Sequence, residues 1–534
     1  MSRARPKSSP TDEHARRIAQ AIAKGRPPPF SAALDRYCES SPLEIYAAFG
    51  GVARHVPPAG QDEALAIGYL FLLQRLLEHL RYRVDRGYAD GAALIEQFQA
   101  EVVAQVEAGQ VDASVLAFVG GALHQSKIPV SPELAAASAK HLADLEPDGP
   151  LPADVHAALA GILEACDGDP FLAVGSLMES GHTMPAEARG ALAGALALSG
   201  RPDARGAAVL FLLDPDSIVR GAVAGALAQV ASSLTPTELR RLIAMRNWRP
   251  EHERAEVDAI VRTARAAGID CAPWQAGSME AIVATAIDGA TAQGFLLISP
   301  AGRKKRLSSI LIKGRIADAW SGEPETRRRI ETSLEAAGVG AVQLAVSRSY
   351  LDRIVAHALA LGIEQGQAPP FGLLQVAETI GGADWQPARM EFAETLAGLM
   401  AGIPGAMCEP AALASLLRRS DELADLEVVA QSWFEDDPEV AQAVERAGGG
   451  GRDRARLAAY LLQGVMKSRR DRWAEIFLRT ALWMHAAAEA QELCWRELAI
   501  VAKALADGRD MTEIGLMHDI AMRTITVLAD ARRM

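Results

Sequence analysis

The chain has 534 residues and a formal net charge of −12, and 49% of its residues are hydrophobic while only 5% are aromatic. Much of the apolar content is alanine, the best helix former, whereas strands favour aromatic and β-branched residues. This composition excludes a disordered chain and argues against an all-β fold or a large parallel sheet, and the negative charge argues against coating of nucleic acid by the whole surface.

The N-terminal segment predicts a disordered basic tail over residues 1–30. It carries seven lysines and arginines against two acidic residues, and it ends in the prolines Pro27–Pro29, which block a helix. It lacks the apolar segment of a signal peptide, and no apolar run reaches the ~20 residues that a membrane span needs. We therefore expect a cytoplasmic protein.

Residues 31–110 are predicted to form N-terminal helices. From Asp62 to Asp85, leucines recur every three or four positions, which is the pattern of one long helix with a broad apolar face.

An internal repeat marks the next region, residues 111–274. The segments PADVHAALAGIL (152–163), PAEARGALAGAL (185–196) and PDSIVRGAVAGAL (215–227) align, with their central glycines at Gly161, Gly194 and Gly225. Proline at the first helical turn costs no hydrogen bond, and a near-fixed period of this size indicates stacked helix pairs. We expect the three glycines to let neighbouring helices approach each other closely.

The copy from Leu213 to Leu227 resembles the short HEAT-like repeats of bacterial proteins, because it follows their D-x-D-x-x-V-R-x-A-x-A-x-A-L pattern. The resemblance implies that Asp214 lies at the turn between two helices. It also implies that Arg220 binds this aspartate or the next repeat, so both residues are structural. A HEAT-like α-solenoid supplies scaffolds and binding surfaces, and the fold itself fixes no function.

Residues 275–366 are predicted to form a small α+β module inserted in this mainly α chain. The strand-like segments 280–287, 294–299 and 306–316, separated by glycine turns, predict a three-stranded meander. A helix, a short strand at 342–346 and a second helix are expected to follow. The chain then returns to helix over residues 367–447. Residues 448–534 begin with a glycine linker and form a C-terminal helical bundle of two hairpins.

The basic run at a predicted hairpin tip of this module is the strongest candidate binding site. It comprises Arg303, Lys304, Lys305 and Arg306, and Lys313 and Arg315 follow it. Between residues 303 and 329, nine basic and three acidic residues leave six positive charges in a negatively charged chain. Such a patch can bind phosphate, nucleic acid or an acidic partner, or be a solvated turn that blocks edge pairing. No aromatic residue interrupts the run of four, which argues against base stacking.

No motif of a metal site, a phosphate-binding loop or a hydrolase nucleophile occurs, so we predict no catalytic residue, metal or cofactor. The leading hypothesis is a non-enzymatic scaffold or adaptor that binds a protein partner through its helical-repeat surface. One alternative is a ligand- or nucleic-acid-binding protein that uses the basic hairpin. A second is an enzyme with an unrecognised site in the α+β module.

Overall fold

A computed structural model of the chain divides it into two compact units, residues 1–192 together with residue 534, and residues 193–533. The structure describes the residues 9–23, 32–55, 62–85, 89–112, 115–145, 153–181, 184–274, 277–337, 342–382, 385–426, 432–435, 437–447, 454–487 and 494–531. No helix among them is long and apolar enough to cross a membrane. The predicted glycine linker at 448–451 lies outside these ranges.

The first unit is helical. Its helices are α1 (Pro10–Ala23), α2 (Ala32–Ser40), α3 (Ile45–His55), α4 (Glu63–Asp85), α5 (Ala89–Glu107), α6 (Val115–Gln125), α7 (Pro132–Leu145), α8 (Ala153–Ala165) and α9 (Pro170–Gly181). As the leucine pattern predicts, α4 lies at the centre, with Leu72, Leu73, Leu76 and Leu77 fully buried.

The expected disordered tail is wrong for residues 10–23, which form α1. Its apolar face packs against α4, with Ala15 and Ile18 buried in the core of the unit. The net charge of the segment does not reveal this apolar face, because the arginines and the apolar residues lie on opposite sides of the same helix.

Helix α10 (Ala186–Leu198) contains the boundary between the units. The repeat region continues in α11 (Pro202–Leu210), α12 (Ser217–Gln229), α13 (Pro236–Met245) and α14 (Arg254–Ala266). Thr235 caps α13 by accepting a hydrogen bond from the Glu238 backbone, while the Glu238 carboxylate accepts one from the Thr235 backbone. This capping box satisfies two backbone donors that a helix start otherwise leaves unpaired.

The predicted structural pair of the repeat is in place. Asp214 is buried at the turn before α12, where one of its carboxylate oxygens accepts a hydrogen bond from the Asp216 backbone at 2.8 Å. Arg220 is 1% exposed, and its Nη1 donates to the backbone carbonyl of Asp214 at 2.7 Å. Its Nε and Nη2 bind Glu253 of the following helix pair.

The expectation for the repeat glycines is wrong. A Cβ added at Gly161 or Gly225 would meet no atom of the described residues within 4 Å, and one at Gly194 would make only an ordinary contact with Ala226 at 3.7 Å. Gly161 and Gly225 face outward, because the leucines and valines of the same helices occupy the buried side. The period identifies equivalent positions but not the face on which they lie.

A five-stranded antiparallel sheet forms the centre of the second unit. It comprises β1 (Ala281–Thr285), β2 (Ala292–Ala301), β3 (Lys304–Lys313), β4 (Arg315–Ser321) and β5 (Gln343–Ala345), in the order β4-β3-β2-β1-β5. The predicted three-stranded meander therefore has a fourth strand. Gly314, with a φ of +66°, turns the chain near the end of the predicted third strand, and β3 and β4 pair on either side of it.

Helices cover both faces of the sheet. Ile330 of α15 (Arg327–Ala337) packs on Leu296 and Leu307 on one face. On the other face lie α16 (Arg348–Glu364) and α17 (Gly372–Thr379). Helix α17 comes so close to β4 that a Cβ at Gly372 would lie 1.7 Å from the Ala319 carbonyl oxygen, so only glycine fits there.

The C-terminal region is helical, as predicted. Its helices are α18 (Phe392–Met400), α19 (Pro410–Arg418), α20 (Pro438–Arg446), α21 (Arg454–Gln463), α22 (Arg470–His485), α23 (Trp495–Ala506) and α24 (Gly515–Ala531). Helices α22 and α23 pack along each other, and α21 packs against α24.

Candidate binding surface on the sheet

The basic run lies at the tip of the β2–β3 hairpin, as the sequence predicts. Ala301 pairs with Lys304, so Gly302 and Arg303 form a two-residue turn. Gly302 has a φ of +64°, a conformation that such a turn needs and that glycine adopts without strain. The turn holds Arg303 and Lys304 in solvent at the end of the sheet.

The four cations of the run have different surroundings. Arg303 is exposed and has no partner among the described residues, and Lys304 Nζ donates only to the Pro324 carbonyl, at 3.1 Å. Lys305 forms an ion pair with Glu280. Arg306 is half-buried, and its buried Nε has no hydrogen-bond partner in the part of the chain that the structure describes. Arg303 and Lys304 are therefore the two cations of the run that remain most available to a ligand.

Lys313 and Arg315 do not belong to this surface. They flank Gly314 at the opposite end of β3, about 30 Å from the hairpin tip at the usual rise per strand residue. Arg315 instead lines a small pocket against α16, together with Ala358 and Gly362. The predicted six-residue site is thus divided between two ends of the sheet.

A second group of cations takes the place of Lys313 and Arg315 at the hairpin tip. Lys305 and Glu325 exchange two backbone hydrogen bonds, at 2.9 and 2.7 Å, which bring the start of α15 beside the tip. The first turn of α15 carries Arg327, Arg328 and Arg329. The sequence supplies their charge but not this position, because the bridge joins residues 20 positions apart.

We call this surface the cationic end of the sheet, defined by Arg303, Lys304, Arg327, Arg328 and Arg329. Arg327 forms an exposed ion pair with Glu331, and Arg329 forms one with Glu325. The guanidinium of Arg328 is exposed and, like that of Arg303, has no partner among the described residues. The start of a helix also adds partial positive charge from its unpaired backbone N–H groups, so the surface favours an anion.

An exposed tryptophan lies on the edge strand of the sheet, level with the middle of β3. Trp320 of β4 is 42% exposed and pairs with Ser309, five residues or about 17 Å along β3 from Lys304. Its ring lies along the edge strand towards the cationic end, 3.4 Å from the position of a Cβ on Gly322. The aromatic residue that the basic run lacks in sequence is therefore supplied by the neighbouring strand.

Helices on either side hold the sheet in place. From the repeat side, Arg240 and Arg241 of α13 both bind Glu378 of α17 at 2.8 Å. Burial alone would raise the pKa of Glu378, but the hydrogen bonds and charges of the two arginines outweigh burial and lower it. Trp248 adds a buried hydrogen bond to the Trp385 carbonyl at 2.7 Å.

The C-terminal helices contact the loop between β1 and β2. Trp433 Nε1 donates to the Ile287 carbonyl at 2.9 Å, and Arg472 of α22 donates to the Gly289 carbonyl. Arg472 and Trp473 also bind the buried carboxylate of Glu435, at 2.7 and 2.8 Å. The sheet is thus fixed at the end opposite its cationic surface.

Comparison with known proteins gives matches for two helical segments of the chain. Residues 393–529 match the family model of the Y4lR C-terminal helical domain, and residues 185–268 match that of the Y4lR second domain. The sheet lies between these two ranges. A search of the curated proteins found no match, and neither did a search of the solved structures.

Proposed function

We propose that the protein is a non-enzymatic binding protein whose cationic end binds single-stranded nucleic acid, with the helices as its frame. The observation that carries the proposal is the Lys305–Glu325 bridge, which places the hairpin tip and the arginine-rich start of α15 on one surface. Arg303 and Arg328 offer guanidinium groups that no described carboxylate occupies. Phosphate groups of a nucleic-acid backbone are suitable partners for them.

Trp320 favours a single strand over a duplex. Unstacked bases present π-faces to an exposed aromatic ring, whereas the bases of a duplex are stacked on each other. The net charge of the chain is −12, so we expect such binding to be restricted to a local basic surface.

Fluorescence anisotropy with labelled oligonucleotides tests the proposal. We expect the full chain to bind a single strand more tightly than the same sequence as a duplex, and the affinity to fall as salt rises. Poly-glutamate of equal charge is the competitor that separates nucleic acid from an acidic protein segment. Equal competition by poly-glutamate, or no binding at low salt, contradicts the proposal.

A protein partner on the repeat surface is a second candidate function. Ile218 of α12 is 50% exposed, and Gly221, Ala222 and Gly225 of the same helix are exposed as well. Small side chains around one large apolar residue allow a partner helix to approach closely. Affinity capture with the wild-type chain and with Ile218→Asp tests this function. We expect a partner that the variant loses and that Arg303→Glu with Arg328→Glu retains.

We also propose that the repeat region is HEAT-like. Two equivalent bonds support it, because Arg189 Nη1 donates to the carbonyl of Met184, and Arg220 Nη1 to that of Pro215, each five residues earlier. Arg205 and Arg220 also each bind a glutamate 33 residues later. An experimental structure of the full chain with successive helix pairs related by one constant rotation would support the proposal, and irregular packing would contradict it.

A cytoplasmic location, expected from the N-terminal sequence, completes the proposal. Fractionation of cells that express a tagged full chain tests it, and recovery in the membrane or the secreted fraction would contradict it.

A further inference from the structure

Two exposed apolar side chains of the sheet are neighbours on one face. Leu311 of β3 is 41% exposed, and Trp320 of β4 is 42% exposed. Trp320 lies opposite Ser309, and Leu311 follows Ser309 by two positions, so the three side chains share a face of the sheet. Diagonal neighbours of this kind are about 7–8 Å apart, within reach of long and aromatic side chains. We call Leu311 and Trp320 the apolar platform.

Helix α15 covers another part of the same face. Leu296 lies opposite Ser309 on β2, and it packs with Leu307 against Ile330 of α15. This core cluster contains neither residue of the platform. Single exposed apolar side chains are common on proteins, whereas neighbouring ones with polar surroundings are a feature of binding surfaces.

A glycine leaves free space beside the platform. Gly294 of β2 lies directly opposite Leu311 and therefore on the same face. Among the described residues, a Cβ at Gly294 would meet only the side chain of Thr285, at 3.4 and 3.7 Å. The absence of a side chain thus leaves a shallow recess on the sheet between Leu311 and Thr285.

The platform and the arginines of α15 lie along the same edge of the sheet. The chain after Trp320 stays beside β3, because Gly322 N donates to the Leu307 carbonyl at 2.9 Å. Further on, Glu325 pairs with Lys305 at the hairpin tip, and the arginine-rich start of α15 follows. A polyanion bound at the cationic end can therefore continue along this edge to the platform.

A carboxylate determines which part of a nucleotide suits the recess. Asp318 lies opposite Leu311, and its Oδ1 accepts a hydrogen bond from the Ala319 backbone at 3.0 Å. The negative charge of Asp318 disfavours a phosphate group at this position. The phosphates of a bound strand therefore stay with the arginines, and an uncharged base occupies the recess.

We propose that the apolar platform selects thymine, so that the preferred ligand of the cationic end is thymine-containing single-stranded DNA. One base stacks on the Trp320 ring, and the 5-methyl group of a neighbouring thymine contacts Leu311 beside Gly294. Leucine offers a base no hydrogen bond, and the methyl group is the apolar feature that distinguishes thymine. This inference rests on the proposed binding of a single strand and adds the base that is preferred.

Two labelled oligonucleotides that differ only in the methyl group test the proposal. Fluorescence anisotropy compares the affinity of the full chain for oligo(dT) and for oligo(dU) of equal length. We expect oligo(dT) to bind about fourfold more tightly, which is the effect of burying one methyl-sized group. The two strands have the same sugar and the same charge, so the salt dependence of their binding should be equal.

Variants at Leu311 separate its contact from other effects of the methyl group. Leu311→Ala should reduce the difference between the two strands to less than about twofold, because it removes the apolar contact. Leu311→Gln, whose side chain is of similar length but polar, should do the same. Leu311 is exposed, so neither variant removes a core side chain. Leu198→Ala is the matched control, since Leu198 is 49% exposed on α10 outside the sheet, and it should retain the full difference.

The outcomes distinguish this proposal from the proposed function. Equal affinity of the wild-type chain for oligo(dT) and oligo(dU) would overturn the selection of thymine and leave single-strand binding in place, whereas no binding of either strand would overturn both. An unchanged difference in both Leu311 variants would also contradict the proposal. A second copy of the chain is another possible occupant of the platform. Light scattering that shows a wild-type dimer and a monomeric Leu311→Asp variant would overturn the proposal in favour of that occupant.

Discussion

Arg220 and Glu253, 33 residues apart, form a buried bidentate ion pair within the repeat region. Arg220 Nη2 lies 2.6 Å from Glu253 Oε1, and Arg220 Nε lies 2.9 Å from Oε2. Arg249 binds the same carboxylate at 2.8 Å. One glutamate thus compensates two buried guanidinium groups and joins the start of α12 to the chain that precedes α14.

The first prediction concerns the removal of this carboxylate. Glu253→Gln leaves Arg220 and Arg249 buried without an anion, so we expect the variant to lose about 3–5 kcal/mol of stability. The melting temperature and the urea midpoint of the full chain measure the loss.

Arg246→Met is the matched control for that experiment. Arg246 binds Asp258 in the same region, but the two side chains are 37% and 32% exposed. Exposed ion pairs contribute about 0–1 kcal/mol, so this variant should melt close to the wild-type temperature. Equal losses in the two variants would contradict the role of burial.

The second prediction is a pH dependence carried by Glu253. Burial alone would raise its pKa, but hydrogen bonds and charges from Arg220 and Arg249 outweigh burial and lower it below the ordinary 4.5. The stabilisation is therefore fully present above pH 4.5 and is lost as the pH falls through the lower value of the folded state. Below pH 4.5, the wild-type chain should lose more of its stability per pH unit than Glu253→Gln does.

The third prediction is a pH dependence of stability carried by His357, at higher pH than that of Glu253. His357 of α16 is buried, and its Nδ1 accepts a hydrogen bond from the Met390 backbone at 3.1 Å. Burial lowers its pKa to about 4 in the folded chain, against an ordinary 6.5, so the unfolded chain binds more protons between these values. Stability is then present above pH 6.5 and falls by about 3 kcal/mol as the pH drops to 4. His357→Asn, which retains an acceptor for the Met390 backbone, should flatten this part of the profile. An unchanged profile would contradict the assignment.

Local sequence patterns were sufficient to predict the class of the fold and the β2–β3 hairpin. The leucine spacing predicts α4, the segment 300–302 predicts the turn that holds Arg303, and the repeat pattern singles out Arg220. Each of these features depends on residues close together in the chain, where propensity and periodicity act.

The composition of the binding surface depends on contacts between distant residues. The bridge between Lys305 and Glu325 brings Arg328 to the hairpin tip, and the pairing of β3 with β4 brings Trp320 near it. A count of basic residues in the sequence cannot show that Arg303 and Arg315 lie at opposite ends of β3.

The fourth prediction concerns Trp320. Stacking of a base on an aromatic ring contributes about 1–3 kcal/mol, so Trp320→Ala should weaken binding of a single strand roughly five- to a hundredfold. Its effect on duplex binding should be smaller. Tyr460→Ala is the control, because Tyr460 is 47% exposed on α21 and lies outside the sheet. If Trp320→Ala binds the single strand as tightly as the wild type does, the result contradicts the stacking of a base on Trp320.

The most direct test of the central claim compares two charge reversals of equal size. Arg303→Glu with Arg328→Glu alters the cationic end, and Arg262→Glu with Arg265→Glu alters exposed arginines of α14. Each pair changes the net charge from −12 by −4, to −16. The affinity for a labelled single strand is measured over a series of salt concentrations. The account predicts that the first pair abolishes binding and its salt dependence while the second nearly retains both. Equal losses in the two pairs, or binding unchanged by the first, would contradict it.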